Sequence, residues 1–213
     1  VQIWPFLAEP PLVMVDWLPW NHTFGGNFNF NAVLVNGGTL YVDAGSFVDP
    51  ERPERGLVFG GRVTEDFKLD TGTWVNAGPL RLHVLDAVSP VLQDAVVCGH
   101  DRGYVAVLAW PNEAAAKEVA TDLRAGDDID AICASADLAA FIRDGLCRYN
   151  RHHPGSSTRV RRVMLMREPP SIDANEITDK GYINQRAALE RRADLVKQLY
   201  RDPPPAGIIE IGD

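Results

Sequence analysis

Leu57-Val58-Phe59-Gly60-Gly61-Arg62-Val63-Thr64-Glu65-Asp66-Phe67-Lys68-Leu69 carries the chain from one short apolar strand through a glycine pair and a charged step into a second. Asp70-Thr71-Gly72 follows, and Thr73 to Val75 is strand-like again, so the two runs flank a short glycine turn and predict a hairpin. Just upstream, Asp49-Pro50-Glu51-Arg52-Pro53-Glu54-Arg55-Gly56 is charged and proline-bearing and reads as an exposed connection between two units. Downstream the pattern becomes regular. Leu80 to Val88 predicts a helix with Pro79 near its start, and Asp94 to Gly99 and Tyr104 to Trp110 are apolar strands around the turn His100-Asp101-Arg102-Gly103.

Glu113 to Arg124 and Asp137 to Arg148 predict helices, the second with Leu138, Phe141, Ile142 and Leu146 at helical spacing. Val160 to Met166 is a further strand. Arg186 to Tyr200 is the clearest helix, with Ala188, Leu189, Leu195, Val196 and Leu199 on one face and Pro203-Pro204-Pro205 as a stop. Residues 57–200 therefore predict an α+β unit, a small sheet covered by helices. Residues 1–49 differ, with Trp17, Trp20, Phe24, Phe28 and Phe30 interleaved with Gly and Asn. They read as strand (Leu12 to Trp17), loop (Leu18 to Gly26), short helix and strand (Thr39 to Val42), too little to form a stable sheet alone.

The 213 residues suffice for one domain, or one domain and a fragment. At 46% hydrophobic and 23% charged, and with no apolar run near the roughly 20 residues of a bilayer span, the composition is that of a globular protein without a membrane helix. The formal charge of −8 argues against nucleic acid or anionic lipid as a partner of the whole chain. Cys98, Cys133 and Cys147 are odd in number and widely spaced, which fits neither a zinc site nor a secreted disulfide framework. Val1 to Pro11 has neither a basic n-region nor a continuous apolar h-region, so no secretory signal is visible and a reduced, cytoplasmic setting is expected. Only Lys68, Lys117, Lys180 and Lys197 supply ammonium groups among 21 basic residues.

Four segments, in the right order, carry a family resemblance. Leu18-Pro19-Trp20-Asn21-His22-Thr23-Phe24-Gly25-Gly26 is similar to the acid-pocket loop of the adenylate-forming acyl-CoA synthetases. Leu57 to Leu69 resembles their hinge segment, Gly-Arg-x-Asp-Asp-x-x-Lys, and Val91 to Trp110 resembles a strand pair of their C-terminal domain. Asn175-Glu176-Ile177-Thr178-Asp179-Lys180-Gly181-Tyr182-Ile183-Asn184-Gln185-Arg186 is similar to the C-terminal lysine loop in the form used by feruloyl-CoA synthases. The resemblance implies an α+β fold. Residues 62–213 would be the C-terminal lid domain with its hinge at 62–64, residues 50–61 a connection, and residues 1–49 a short α/β remnant of the large N-terminal domain.

The implied chemistry is attack of an aryl carboxylate on the ATP α-phosphate, rotation of the lid, and displacement of AMP by the CoA thiolate; ATP, CoA and Mg2+ are the implied cofactors. Bringing carboxylate and phosphate together favours a mobile cation. Lys180 is the candidate, in a polar, glycine-bearing loop after Pro169-Pro170; the alternative is a solvated surface lysine. Many family members place lysine directly after the loop glycine, where this chain has Tyr182. Arg62 is the implied nucleotide contact, a guanidinium fork suited to ribose or phosphate oxygens, against a turn arginine paired with Glu65 or Asp66. Thr64 holds the hinge position, where aspartate or lysine is frequent. Lys68 and Gly72 would serve the thioester-forming orientation, although a plain hairpin explains Gly72 equally; Trp74 stands where an arginine is common. His22, Trp20 and Phe24 would line the acid pocket, against ordinary aromatic packing, and no catalytic base is assigned.

His152-His153 lacks a carboxylate or cysteine at ligand spacing and reads as a solvated loop, so no metal site is assigned. Ser89 and Ser135 lack a nucleophile elbow. The Arg159-Val160-Arg161-Arg162 cluster is either a CoA-phosphate grip or a solvated strand flank. No glycine-rich Ser/Thr loop for ATP phosphates occurs in the sequence. Asp43, in Tyr41-Val42-Asp43-Ala44-Gly45, fits both the end of an early strand and the family's ribose-binding Gly-Asp segment. The resemblance thus covers two discontinuous pieces of a larger protein. It predicts a feruloyl-CoA synthase-like ligase by descent, inactive as this polypeptide alone. The competing expectation is a non-catalytic domain that docks on a partner or binds CoA weakly, and self-association through the aromatic N-terminal segment is expected in either case.

Overall fold

A computed structural model of the chain describes residues 65–178 and 181–212 throughout and, before them, residues 13–15, 30–35, 39–41, 45–49, 51–52, 55 and 57–59. The chain divides into two compact units, Val1–Thr64 and Glu65–Asp213. In the first, β1 (Val13–Val15) precedes α1 (Phe30–Val35) and β2 (Thr39–Tyr41), and β1 and β2 pair in parallel with Val13 opposite Thr39. Next, β3 (Gly45–Phe47) runs antiparallel to β4 (Leu57–Phe59), Phe47 opposite Leu57. The sequence reading has no strand at β3. After β3, the Asp49 carboxylate accepts from Arg52 Nε at 2.7 Å and from the Glu51 N–H at 3.1 Å.

The second unit begins with the predicted hairpin, β5 (Phe67–Lys68) and β6 (Trp74–Val75), and continues into α2 (Ala77–Ala87). A four-stranded sheet holds its centre. β7 (Leu92–Cys98) and β8 (Val105–Pro111) form an antiparallel pair; α3 (Glu113–Val119), α4 (Ile129–Ala134) and α5 (Ala136–His152) intervene before β9 (Val160–Leu165), which lies parallel to β8. α6 (Gln185–Arg191), α7 (Ala193–Leu199) and β10 (Ile208–Glu210) complete the order β10-β9-β8-β7. The fold is α+β.

Strands buried on both faces need apolar side chains at successive positions, and β8 supplies them. Val105, Val107 and Ala109 point into a core with Val84, Ile142 and Leu146 from α2 and α5. Ala106, Leu108 and Trp110 point the other way, into a core shared with Ala188 of α6 and Leu199 of α7. The sheet is the middle of three layers. Among the described residues no helix is long and apolar enough to cross a membrane.

The sequence reading lacks α4, starts α2 at Leu80 rather than Ala77, and ends α5 at Arg148, so that His152, read as loop, is the last residue of that helix; two further differences have a visible reason. The helix predicted to Arg124 stops at Val119, because the Asp137 carboxylate takes the N–H groups of Thr121 (2.9 Å) and Asp122 (3.2 Å) and draws the chain off the helical path. The predicted Arg186–Tyr200 helix is two helices that meet at Arg192 (φ −99°, ψ 25°), whose side chain is drawn into an ion pair. Past the proline run, β10 pairs with β9 and is anchored by buried Arg162, which donates to the Leu199 and Arg201 carbonyls (3.2 and 3.0 Å) and to Asp202 (2.5 Å).

α2 and α5 touch at Gly145, where an added methyl would sit 2.5 Å from the Ala87 carbonyl oxygen. Gly145→Ala is expected to cost about 2 kcal/mol by overpacking, lowering the melting temperature by about 6 °C. Gly126→Ala, at a position with open space around it, should leave the melting temperature within about 2 °C. Equal melting curves for both variants would contradict the packing described.

Candidate functional site

Seven of the sequence-predicted site residues, Lys180, Arg62, Thr64, Asp43, His22, Trp20 and Phe24, lie outside the described residues. The structure does describe Lys68 and Gly72 on the hairpin, and both stems of the loop that carries Lys180.

The hairpin alternates as a half-buried ribbon must: Phe67, Leu69 and Val75 point inward and Lys68 and Trp74 outward. Its turn is closed by Leu69 N–H to Thr73 C=O and Gly72 N–H to Leu69 C=O, both 2.9 Å. Gly72 adopts φ +81°, a left-handed conformation that favours glycine, and no heavy atom lies within 4 Å of where a Cβ would be. The turn geometry therefore accounts for this glycine and also leaves its backbone open to a ligand. The hairpin is seated by Asp101 N–H to Lys68 C=O and Asp70 N–H to Arg102 C=O, both 3.0 Å. Gly99 makes room for the Phe67 ring, which a Cβ would approach to 2.8 Å. Asp66, from the hinge motif, accepts from the Ala77 N–H at 3.0 Å and so caps α2 in place of Asn76, whose side chain makes no capping bond. Burial raises the Asp66 carboxyl pKa, with the Ala77 N–H opposing the shift.

The stems of the lysine loop form a miniature hairpin. Ile177 bridges Ile183 in antiparallel fashion, Thr178 N–H donates to the Tyr182 carbonyl at 2.8 Å, and Gly181 N–H donates to the Thr178 carbonyl at 2.9 Å. Asn184 accepts from Ala187 N–H and caps α6. Two buried side chains fix this frame to the domain. Gln185 binds Val97 on the outer edge of β7 through both backbone groups, accepting its N–H at 3.0 Å and donating to its carbonyl at 2.5 Å, so one amide side chain substitutes for an absent neighbouring strand.

Glu176, fully buried, accepts from Arg192 at 2.7 and 3.0 Å, from Arg191 at 2.6 Å and from the Ser171 N–H at 2.8 Å. Arg192 also donates to the Pro169 carbonyl and lies over the Trp110 ring at 5.2 Å. Burial alone would raise the Glu176 pKa; Arg192, the Ser171 N–H and Arg191 outweigh it and hold the carboxyl at about 2. Glu176 and Gln185 belong to the motif that suggested the lysine loop, but their partners on α6, at the α6–α7 junction and on β7 are distant in sequence or hidden in a helical pattern. Sequence reasoning missed them as structural determinants.

The remaining candidates take structural places. Ser135 caps α5 and donates to Asp122 at 2.5 Å. His152 and His153 turn Nδ1 towards the carbonyls of Arg148 and Tyr149 (2.9 and 3.1 Å), and His153 stacks on Tyr149 with ring centroids 4.3 Å apart. Arg162 of the arginine cluster is the buried anchor of β10. Cys98, Cys133 and Cys147 are free thiols, and burial pushes that of Cys98 up to about 12. Among the described residues no group of three or more His, Cys, Asp or Glu is arranged to hold a metal ion.

Residues 66–203 match the family described as AMP-binding enzyme C-terminal domain. No curated protein matches the chain. Among solved structures, the adenylation domain of a carboxylic acid reductase from Segniliparus rugosus, in complex with AMP and a co-purified carboxylic acid, is similar at 19% identity and TM-score 0.54 over 73% of this chain and 22% of that one. An adenylation–PCP didomain of the carboxylic acid reductase from the same organism, in complex with AMP, gives 20% identity and TM-score 0.54 over 73% and 19%. The adenylation domain of a carboxylate reductase from Mycobacterium chelonae gives 21% and 0.55 over 74% and 22%. The chain spans about a fifth of the length of these structures, and the likeness shows the fold.

A carboxyl held near 2 in the folded protein against an ordinary 4.5 stabilises by about 3 kcal/mol. That contribution is complete above pH 4.5 and is lost as pH falls towards 2. Glu176→Gln, which leaves two arginines without their buried counter-ion, should cost about 3 kcal/mol at neutral pH and flatten the decline of the urea midpoint between pH 4.5 and 2. A variant with the wild-type midpoint and pH profile would contradict the assignment.

Proposed function

Because the chain belongs to the AMP-binding enzyme C-terminal domain family, we propose that it supplies the lid of an AMP-forming acid–thiol ligase of the feruloyl-CoA synthase type, which adenylates an aryl carboxylate and passes it to CoA. The observation that carries this reading is the lysine loop. The segment Asn175 to Arg186 resembles the feruloyl-CoA synthase form, and Glu176 and Gln185 within it tie both stems to the packed domain. A cation presented on such a frame can neutralise a carboxylate and a phosphate that repel each other, with little reorganisation in the reaction. Lys180 takes this role. The hinge is proposed at 62–64, about Thr64, within a lid of 62–213 joined through 50–61 to a remnant at 1–49. Arg62 and Asp43 are assigned to the nucleotide, and His22, Trp20 and Phe24 to the walls of the aryl-acid pocket. Lys68 and Gly72 face the thioester-forming half-reaction, and the open backbone at Gly72 fits the approach of a pantetheine arm.

AMP and a carboxylic acid are what the Segniliparus domain holds; in this reading AMP and an aryl acid are the ligands here. Among the described residues no group of three or more His, Cys, Asp or Glu is arranged around a metal position, and the 213 residues contain no glycine-rich phosphate loop. No step is therefore assigned to the metal, and the polypeptide by itself is expected not to adenylate. The second reading, a non-catalytic docking or weak CoA-binding module, draws on the same absence.

Pyrophosphate release from ATP and ferulate separates the two. The purified chain is expected to fold, by circular dichroism, and to release none. Mixed with the phosphate-loop-bearing N-terminal portion of a feruloyl-CoA synthase, it should raise release above that portion's own level, and Lys180→Ala should lower the gain about a hundredfold. No gain, or an equal gain from Lys180→Ala, would favour the docking module.

A further inference from the structure

The crossing of α2 and α5, at Ala87 and Gly145, opens onto a groove of about 270 Å3. His83 and Asp86 of α2 and Arg148, Tyr149, His152 and His153 at the end of α5 line it. Three of the five histidines in the chain therefore meet in one place. Two of them pack face to face: His153 stacks on Tyr149 with centroids 4.3 Å apart and on His83 with centroids 5.9 Å apart, at interplanar angles of 19° and 23°. Stacked rings do not converge their nitrogens on one point, which suits a ligand with several acceptor atoms better than a metal ion.

The protonation chemistry of the groove follows from the end of α5. The Nδ1 atoms of His152 and His153 face the carbonyls of Arg148 and Tyr149. A carbonyl oxygen only accepts, so each Nδ1 carries its hydrogen and the titrating proton goes to Nε2, which changes from acceptor to donor when it arrives. The Tyr149 hydroxyl is buried and makes no hydrogen bond; burial raises its pKa, so it remains an O–H donor at neutral pH, a polar group in this wall that the fold itself does not use. Arg148 and Asp86 carry opposite charges, and the imidazoles decide the balance: each ring that takes a proton adds a positive charge to the groove. An oxyanion gains most from such a site, since it accepts from a guanidinium and from imidazolium N–H groups together.

We propose that this groove binds a phosphate-type oxyanion, held by the Arg148 guanidinium and the imidazoles of His83, His152 and His153, and that binding draws protons onto those rings. The proposal uses no residue that the functional reading above assigns, and it stands or falls without that reading. Free inorganic phosphate and a phosphate monoester both carry the required chemistry.

Proton NMR titration of the purified full chain with sulfate, inorganic phosphate and glycerol 3-phosphate tests it. The histidine Cε1–H resonances are assigned by their loss in single His→Gln variants, and His100, which lies beside Asp101 at 3.2 Å, is the internal control. Sulfate keeps its charge across the range used. It should shift the three groove histidines saturably, leave His100 in place, and bind about tenfold more tightly at about pH 6 than at about pH 8. Arg148 and His83 are exposed, so their variants should fold as the wild type does. Arg148→Ala should weaken binding about tenfold, and His83→Gln should reduce its pH dependence. Equal or weaker binding of glycerol 3-phosphate than of phosphate assigns the site to the free ion, and tighter binding assigns it to an ester. Shifts that do not saturate or that move His100 equally, or an affinity indifferent to pH or to Arg148→Ala, overturn the proposal.

Discussion

A carboxylate with no access to water is tolerable only if its charge is met, and Glu176 meets it with two guanidinium groups and a backbone N–H. Much of the local architecture follows from that requirement. Arg191 and Arg192 are consecutive, so both reach one carboxylate only where the helix path breaks, and α6 and α7 separate there. Arg192, held over Trp110, links the pair to β8, while Trp110 donates from its indole N–H to the Glu168 carbonyl at 2.9 Å. The segment between β9 and α6 is thereby fastened at its start, at Glu176 and at Gln185, although it has no long regular element of its own.

The same economy operates on the β5–β6 hairpin. The hairpin of β5 and β6 is too short to be stable in isolation; it persists because Phe67 fills the space at Gly99 and Asp66 caps the helix that follows. Both arms proposed to meet ligands are short segments held at the margin of a rigid sheet, the lysine loop by buried polar side chains and the hairpin by backbone bonds and the Phe67 ring. Such a margin places loops with a precision that their own contacts do not supply.

Much of this fold is legible in the sequence. Both-face burial writes continuous apolar runs at 95–98 and 105–110, within the strands read at Asp94 to Gly99 and Tyr104 to Trp110, and the spacing of Leu138, Ile142 and Leu146 marks the core face of α5. The proposed lysine loop and hinge rest on short motifs, and Arg62, Thr64 and Lys180 within them lie outside the described residues. Other features depend on partners far along the chain. The amide of Gln185 and the edge of β7 are 88 residues apart. β10 has three residues and gains its identity from β9. α3 ends early because of a carboxylate on α5. Glu176 reads as one more acidic residue in a polar loop until the fold surrounds it. Of the candidate site, the sequence supplies residue types and order, and the described structure supplies Lys68, Gly72 and the stems that flank Lys180.

Amide hydrogen exchange at the lysine-loop stems tests that frame most directly. The N–H of Ser171 bonds to the Glu176 carboxylate at 2.8 Å, and those of Glu176 and Asn184 bond to the Ser171 and Glu176 carbonyls, both at 2.9 Å. With the ion pair as described, these three amides exchange as slowly as those in β8, through unfolding of the whole domain. Exchange at the rate of an unprotected loop, with β8 still protected, would show that the buried carboxylate does not hold the loop in place.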